Sequence, residues 1–170
     1  MSGLGLILPG VDPTPDFETY DSRIGVSAAA LAANTLYLSR LDDLEQPQTI
    51  STMTHFVGTA SGNCMDALYT FDGSNFAKVA ASASTAIAGT NTTQDVSLSA
   101  AYTRQPRTRY YSGFIVDNAT ATISRLASGA PVNGKGRKSV THAPGSFTLP
   151  DTIAVGAVSA TAITVWQHGE

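Results

Sequence analysis

The sequence contains one cysteine, few charged residues and no long apolar segment. One of its 170 residues is cysteine, Cys64, so an internal disulfide is impossible,. We interpret this single thiol as a buried core residue, because free cysteine is among the most buried residue types. Charged residues make up 14% of the chain, against roughly a quarter in ordinary globular domains. This scarcity disfavours long charged helical faces and favours strands and loops rich in small polar residues.

Long apolar runs and basic charge are also lacking. The net charge is −3 and the pI about 5.5, so nothing in the charge favours nucleic acid or an acidic membrane surface. The apolar stretch at residues 4–8 is too short and too interrupted by glycine to span a bilayer, and no basic residue precedes it,. We therefore predict synthesis in a cytoplasm, no nucleic-acid partner and no membrane insertion.

No pattern typical of catalysis or metal binding is visible along the chain. His55, His142 and His168 are far apart, with no ligand spacing between any pair, and no nucleophile elbow accompanies the serines,. The aspartates are scattered, and Asp72 and Asp117 occupy positions where turns favour Asp,. The sequence predicts a protein that is not an enzyme and has no catalytic residues, no metal and no cofactor.

Residues 1–25 predict an extended arm. Pro9, Pro13 and Pro15 each remove a backbone donor and fix φ, which opposes both a helix and a central strand,. A free tail would seldom carry so many apolar residues, so we predict that the arm packs either on its own domain or on a neighbouring subunit. The candidate docking residues are Leu6, Ile7, Leu8, Val11, Phe17 and Tyr20.

From residue 35 onwards the pattern is typical of β-structure. The clearest long strand is predicted at residues 48–57, where Met53, His55 and Val57 share one face and Ile50 lies on the other,. Residues 27–33 are compatible either with a helical turn or with a loop leading into a strand.

Two stretches resemble β-hairpins, at residues 62–80 and 110–126. Each has two strand-like runs around a short turn of Asp, Gly or Asn,. About eight or nine short strands, with no alternation of strands and helices, predict an all-β fold. We expect an antiparallel β-sandwich or jelly-roll-like domain over residues 26–170, with the arm preceding it.

Two surfaces are candidates for contact with a partner or ligand. Lys135, Arg137 and Lys138 form the one dense basic patch, within a long loop rich in glycine and proline,. It is either a solvated loop or a contact for an acidic surface or an anionic glycan. Tyr110 and Tyr111 are neighbours on a predicted strand, so one should point inward while the other is free to stack on a sugar,.

An ordered series of segments resembles a β-sandwich module common in tailed-bacteriophage structural proteins, notably tail-fibre and minor tail proteins. The series includes LAANTLYL at residues 31–38, LYTFDG at 68–73, the tyrosine pair that opens the second hairpin-like stretch, and FTLPD at 147–151. The order and spacing carry the resemblance, which covers about residues 30–166. The chain departs from it at residues 104–109, where such modules often turn with Pro-Gly, and at Cys64 and Met65.

The resemblance implies a virion protein, often trimeric, that attaches to a host surface or covers the particle, with no catalytic residues to carry over. We therefore expect a tail-associated structural protein (fibre, tail tip or minor tail) located in the virion. Its expected partners are copies of itself, other virion proteins through the arm, and a host-surface saccharide. Two alternatives stay open: a capsid decoration protein, and a free carbohydrate-binding or adhesion module.

Overall fold

The computed structural model describes residues 17–18, 27–127 and 139–170, and these ranges consist mainly of β-strands. The strands are β1 (Phe17–Glu18), β2 (Ser27–Ala30), β3 (Leu36–Arg40), β4 (Gln48–Thr59), β5 (Asn63–Phe71), β6 (Asn75–Ala81), β7 (Thr85–Ala86), β8 (Thr92–Arg104), β9 (Arg109–Val116), β10 (Thr122–Ala127), β11 (Ser139–His142), β12 (Thr152–Ala154), β13 (Ser159–Thr161), β14 (Ile163–Val165) and β15 (Gln167–Gly169). A short 3₁₀ turn, Val155–Ala157, is the one helical element in these ranges. None of the described residues belongs to a helix long and apolar enough to cross a membrane.

The strands form two antiparallel sheets. The first has the order β1-β15-β4-β10-β14, with β2 also on β10 and β8 also on β4. The second has the order β12-β6-β5-β9-β3-β11-β13, with β7 also on β5. The predicted all-β, sandwich-like antiparallel fold is confirmed.

The central strands of the second sheet, β3, β5 and β9, are buried on both faces. On β9, Phe114 and Val116 pack against apolar residues of the first sheet, such as Val57. The alternate residues Tyr111 and Ile115 point the other way, into a separate core. That outer core is closed by apolar side chains from the segment after β11, namely Phe147, Leu149, Ile153 and Val158. A strand buried on both faces carries large residues at consecutive positions, as β9 does.

One predicted hairpin is confirmed and the other is wrong. β5 and β6 pair directly, and Asp72 Oδ1 accepts hydrogen bonds from the backbone N–H groups of Ser74 and Asn75, each at 2.7 Å. β9 and β10 instead belong to different sheets. Both edges of β9 are already occupied, by β3 and by β5, so β10 pairs with β4, β2 and β14 in the first sheet.

The turn after β9 is therefore a crossover between sheets, and Asp117 and Asn118 hold its shape. Asp117 accepts hydrogen bonds from the backbone and side-chain N–H groups of Asn63, at 2.9 and 2.7 Å. Asn118 Oδ1 accepts from the backbone N–H groups of Thr120 and Ala121. The turn-forming role expected of Asp117 is confirmed, although the strands that it connects do not pair.

The pairing of β4 corrects a second expectation. Met53, His55 and Val57 face the interior together, as predicted, but Ile50 is also fully buried and packs beside Met53. The register between β4 and β8 shifts between Ile50 and Thr52. An irregularity of this kind breaks the strict two-residue alternation on which the prediction rested.

The N-terminal segments reach the sandwich as strands. Of the predicted arm, Phe17 and Glu18 form β1, which pairs with Gly169 and His168 of β15 in the same chain. Residues 1–16 and 19–26 lie outside the described residues. β2 pairs with β10, so residues 27–30 are a strand, and the helical alternative for this stretch is wrong.

Gly58 on β4 offers a test of the packing against β2. A Cβ at this position would overlap Ala28 Cβ and stand 2.6 Å from Thr122 Oγ1, so Gly58→Ala should lower the free energy of unfolding by about 1–3 kcal/mol through overpacking. Gly156 has open space around it, so Gly156→Ala is a matched control, expected to change stability by less than about 0.5 kcal/mol. Urea unfolding measures both, and equal effects of the two substitutions would contradict the packing described.

Candidate functional site: a buried His-Cys-Asp cluster

Strand alternation brings three chemically reactive side chains together between the sheets. His55 faces inward from β4 in the first sheet, between Met53 and Val57. Cys64 and Asp66 are two residues apart on β5 in the second sheet, so both face the same side of that strand,. The two strands follow one another in the chain but lie in opposite layers, which places imidazole, thiol and carboxylate face to face.

The three side chains lie close to one another and out of contact with solvent. Cys64 Sγ lies 3.9 Å from His55 Nε2, and His55 Nδ1 lies 3.7 Å from Asp66 Oδ2. One candidate ligand atom from each residue falls within 4.8 Å of the others, and all three residues are 0% exposed. The ring of His55 is also packed edge-on against Phe114, with centroids 4.8 Å apart.

Neighbouring polar groups fix one half of the Asp66 carboxyl group. Gln167 lies directly opposite His55 in the β4–β15 pairing, and its Nε2 donates a 2.6 Å hydrogen bond to Asp66 Oδ1. The backbone N–H of Asp66 bonds to Ser82 Oγ at 3.0 Å. The other carboxyl oxygen, Oδ2, is therefore directed towards His55.

Two polar atoms in this cluster have no hydrogen-bond partner. Within the described part of the chain, His55 Nδ1 and Asp66 Oδ2 are both buried and unsatisfied, and their 3.7 Å separation is too long for a hydrogen bond. A buried polar atom left without a partner costs about 1–3 kcal/mol. A partner placed between the two atoms would remove this cost.

Burial also sets the protonation states of the cluster. It raises the pKa of Asp66 to about 8, against the opposing effect of the Gln167 hydrogen bond. It lowers the pKa of His55 to about 4, with Gln94 and Asp95 acting in the opposite direction. It raises the pKa of Cys64 far above its ordinary value, and the nearby Asp66 and Asp117 add to that shift.

Near neutral pH the cluster therefore holds a carboxylic acid, a neutral imidazole and a thiol. A cysteine nucleophile acts as its thiolate and must be reachable, and here neither condition is met. What the donor set suits is a cation of borderline softness, because imidazole, thiolate and carboxylate are the ligands of zinc and its neighbours.

Most of the contact residues predicted from sequence lie elsewhere or outside the described residues. Tyr110 and Tyr111 are both buried, at 1% and 7% exposed, in the inner and outer cores respectively, so the prediction that one of them is available for stacking is wrong. The reason is that Tyr111 points into the outer core, where Phe71 and Phe76 of the same sheet pack around its ring.

The remaining predicted residues give no side-chain geometry. Lys135, Arg137 and Lys138 lie outside the described residues, as do Leu6, Ile7, Leu8, Val11 and Tyr20 of the arm. Phe17 is described through its backbone alone, in β1.

The sequence does not announce the cluster, because its members come from two strands and ligand spacing is recognisable only within a single element. The usable signal was weaker: a histidine on the inner face of one strand, followed by Cys-x-Asp on the next. The interpretation of Cys64 as a buried core thiol is confirmed. Its neighbours, however, include two polar side chains, those of His55 and Asp66.

Comparison with known proteins adds no relative. No model of a known protein family matches the chain, and no curated protein matches it.

The state of the thiol gives a direct test of the site. In the native protein Cys64 should not react with a thiol reagent such as 5,5′-dithiobis(2-nitrobenzoate) at pH 8, because the side chain is fully buried and protonated,. In urea the one thiol should react fully. Rapid stoichiometric labelling of the native protein would contradict the burial described.

The pKa of Asp66 gives a second test, on the metal-free protein. Between pH 7 and 8 the folded state keeps a proton on Asp66, whose pKa is about 8, while the unfolded chain has lost it. The folded state then binds more protons, so the free energy of unfolding should fall as the pH rises, by at most about 1.4 kcal/mol per pH unit. His55 is largely neutral in both states across this window.

Asp66→Asn should remove this decline, because the amide does not titrate. The measurement is urea unfolding at several pH values with a chelator present, and Asp72→Asn, in an exposed turn, is the control that keeps the decline. A decline of equal slope in wild type and Asp66→Asn would show that another group titrates.

Proposed function

We propose that this chain is a non-enzymatic structural protein of a bacteriophage virion, associated with the tail. In this proposal the sandwich faces outward, and the N-terminal arm docks on other virion proteins. The observation that carries it is the position of β1, the described part of the arm. β1 is an edge strand of two residues held on β15 by main-chain pairing.

An arm joined in this way is suited to assembly. Strand addition at a sheet edge supplies affinity through main-chain hydrogen bonds and needs no dedicated pocket. Within the described residues β1 ends the strand order of its sheet, so its outer edge is available to a further strand. The sequence before it carries Leu6, Ile7 and Leu8, and apolar residues of this kind are a liability unless a partner covers them.

The order of segments that resembles tailed-bacteriophage modules supports the same proposal. The sandwich that such modules imply agrees with the all-β architecture. Such modules are often trimeric, so the proposed assembly is a symmetric homotrimer, a closed form of the kind usual for homo-oligomers. Light scattering on the purified chain should then give three times the 17.6 kDa mass.

The burial of Tyr110 and Tyr111 weakens the alternative that the chain is a free carbohydrate-binding or adhesion module. A free carbohydrate-binding module commonly presents an aromatic platform, whereas Tyr110 and Tyr111 are enclosed. A host-surface saccharide stays a proposed ligand through the basic patch at Lys135, Arg137 and Lys138.

Copy number in the particle distinguishes a tail role from capsid decoration. Quantitative mass spectrometry of purified particles should find a few copies per particle if the protein belongs to the tail, and hundreds if it decorates the capsid. Absence of the protein from purified particles would contradict both the tail role and the capsid role.

Removal of the arm tests docking. Deleting residues 1–16 leaves β1 in place, so the sandwich should unfold at an unchanged urea concentration. Incorporation into particles should fall roughly tenfold or more, because several buried apolar side chains are lost from the docking contact.

Two full-length variants refine the comparison. Substituting Leu6, Ile7 and Leu8 together by Ser should reproduce the loss of incorporation, whereas Thr14→Ser should not. Incorporation of the truncated chain at the wild-type level would contradict docking through the arm. Unfolding of the truncated sandwich would show instead that the arm belongs to the domain's own core.

A further inference from the structure

We propose that His55, Cys64 and Asp66 bind one zinc-type divalent ion, which joins the two sheets from within and displaces the protons of the thiol and the carboxyl group to solvent. The inference concerns the interior of the sandwich and does not depend on the proposed virion role.

The donor set matches the preferences of such an ion. Zinc binds cysteine sulfur, histidine nitrogen and aspartate oxygen, in tetrahedral sites with bonds of about 2.0–2.3 Å. Tetrahedral geometry with these bonds places donor atoms about 3.3–3.6 Å apart. One imidazole nitrogen binds one ion: His55 Nε2 lies 3.9 Å from Cys64 Sγ, close to that range, whereas the 3.7 Å contact with Asp66 Oδ2 is made by the other nitrogen, Nδ1. One donor atom from each residue falls within 4.8 Å of the others, so side-chain rotations that include a turn of the imidazole ring would bring all three onto one ion.

The unsatisfied atoms point to a missing occupant. His55 Nδ1 and Asp66 Oδ2 are wholly buried and make no hydrogen bond, which is rare for polar atoms in a native core. A ligand placed between the two strands would satisfy the side chains that carry them. Histidine and carboxylate donors beside a thiol favour a metal ion over a solvent molecule, because a thiol is a weak hydrogen-bonding partner for water.

Gln167 is a positioning residue for this site. Its amide donates to Asp66 Oδ1 at 2.6 Å and leaves Oδ2 as the ligand atom. Hydrogen bonds of this kind to a ligating carboxylate orient it, and their loss typically weakens metal binding 10–100-fold. The fourth position of the ion is left to a solvent molecule.

The site would act on folding. His55 belongs to the first sheet, while Cys64 and Asp66 belong to the second, so one ion would tie the two layers at their centre. Since the unfolded chain holds no such arrangement, the binding energy adds to the stability of the fold.

The test uses the full-length chain, stripped of metal by a chelator and then titrated with zinc alone or cobalt alone near pH 7.5. We expect one zinc per chain and, with free zinc at about 100 times the dissociation constant, a rise in Tm of roughly 5–10 °C. Cobalt should give a thiolate-to-metal charge-transfer band. Because Cys64 is the one cysteine in the sequence, that band identifies the ligand in the wild-type protein, even if a variant fails to fold.

Variants separate the site from surface binding. Cys64→Ser should lose the charge-transfer band and weaken zinc binding at least tenfold. Gln167→Ala should keep the band but weaken binding 10–100-fold. His142→Gln is the matched control, since this half-buried imidazole lies away from the cluster, with Nδ1 3.0 Å from the Ala157 carbonyl oxygen, and it should bind as wild type does.

Three results would overturn the proposal. They are zinc binding in Cys64→Ser equal to that of wild type, a cobalt complex without the charge-transfer band, and a Tm that zinc leaves unchanged. The last outcome would leave a buried solvent molecule as the occupant of the cluster.

Discussion

Burial of the central strands of the second sheet on both faces is the constraint on which the rest of this structure depends. β9 lies between β3 and β5 and sends alternate side chains into two separate cores. Because side chains alternate with a period of two, a slip of one residue would exchange the cores for every side chain on the strand. Gly113 shows how little space remains, since a Cβ there would stand 3.0–3.3 Å from side-chain atoms of Tyr69, Leu36 and Leu38. The register of β5 is fixed by the same packing, and with it the inward direction of Cys64 and Asp66.

That fixed register explains how a carboxyl group comes to lie in an apolar interior. Asp66 cannot turn to solvent without moving Ala67 and Leu68, which belong to opposite cores. The fold accommodates it through the Gln167 hydrogen bond and by keeping it protonated, as its pKa of about 8 indicates. Neither device satisfies the oxygen directed at His55. The surrounding packing thus holds this polar cluster in place, while its hydrogen bonds offset only part of the cost of burying it.

The sequence predicts features that depend on neighbouring residues, such as turns and strand alternation. It does not predict features that depend on pairing between distant strands. The alternation of Met53, His55 and Val57 and the turn at Asp72 depend on neighbours within a few residues, and both predictions were confirmed. The second hairpin failed because both edges of β9 are occupied by strands far away in the chain. One residue of the pair Tyr110 and Tyr111 was expected to be exposed, because no local pattern shows that the segment after β11 closes the outer core.

The buried charge at Arg104 illustrates the same limit. The sequence places this arginine in a cluster with Arg107 and Arg109 beside a proline turn. In the structure Arg104 is fully enclosed, donates to the Asp42 carbonyl oxygen at 2.9 Å and lies over the ring of Tyr110. Asp42 is distant in the chain and Tyr110 lies on another strand, so no local pattern could identify these two partners. The His-Cys-Asp cluster has the same origin, because its members meet only once two sheets face each other.

β15 connects the two parts of the molecule to which we assign roles. One edge of this three-residue strand holds β1, through Gly169 and His168. Its other edge pairs with β4, which sets Gln167 opposite His55 and within reach of Asp66. A strand this short is held in place by its pairing with its two neighbours. The position of the strand to which the arm attaches and the orientation of the Asp66 carboxyl group therefore both depend on β15. An ion that binds the cluster would therefore steady the edge to which β1 is attached.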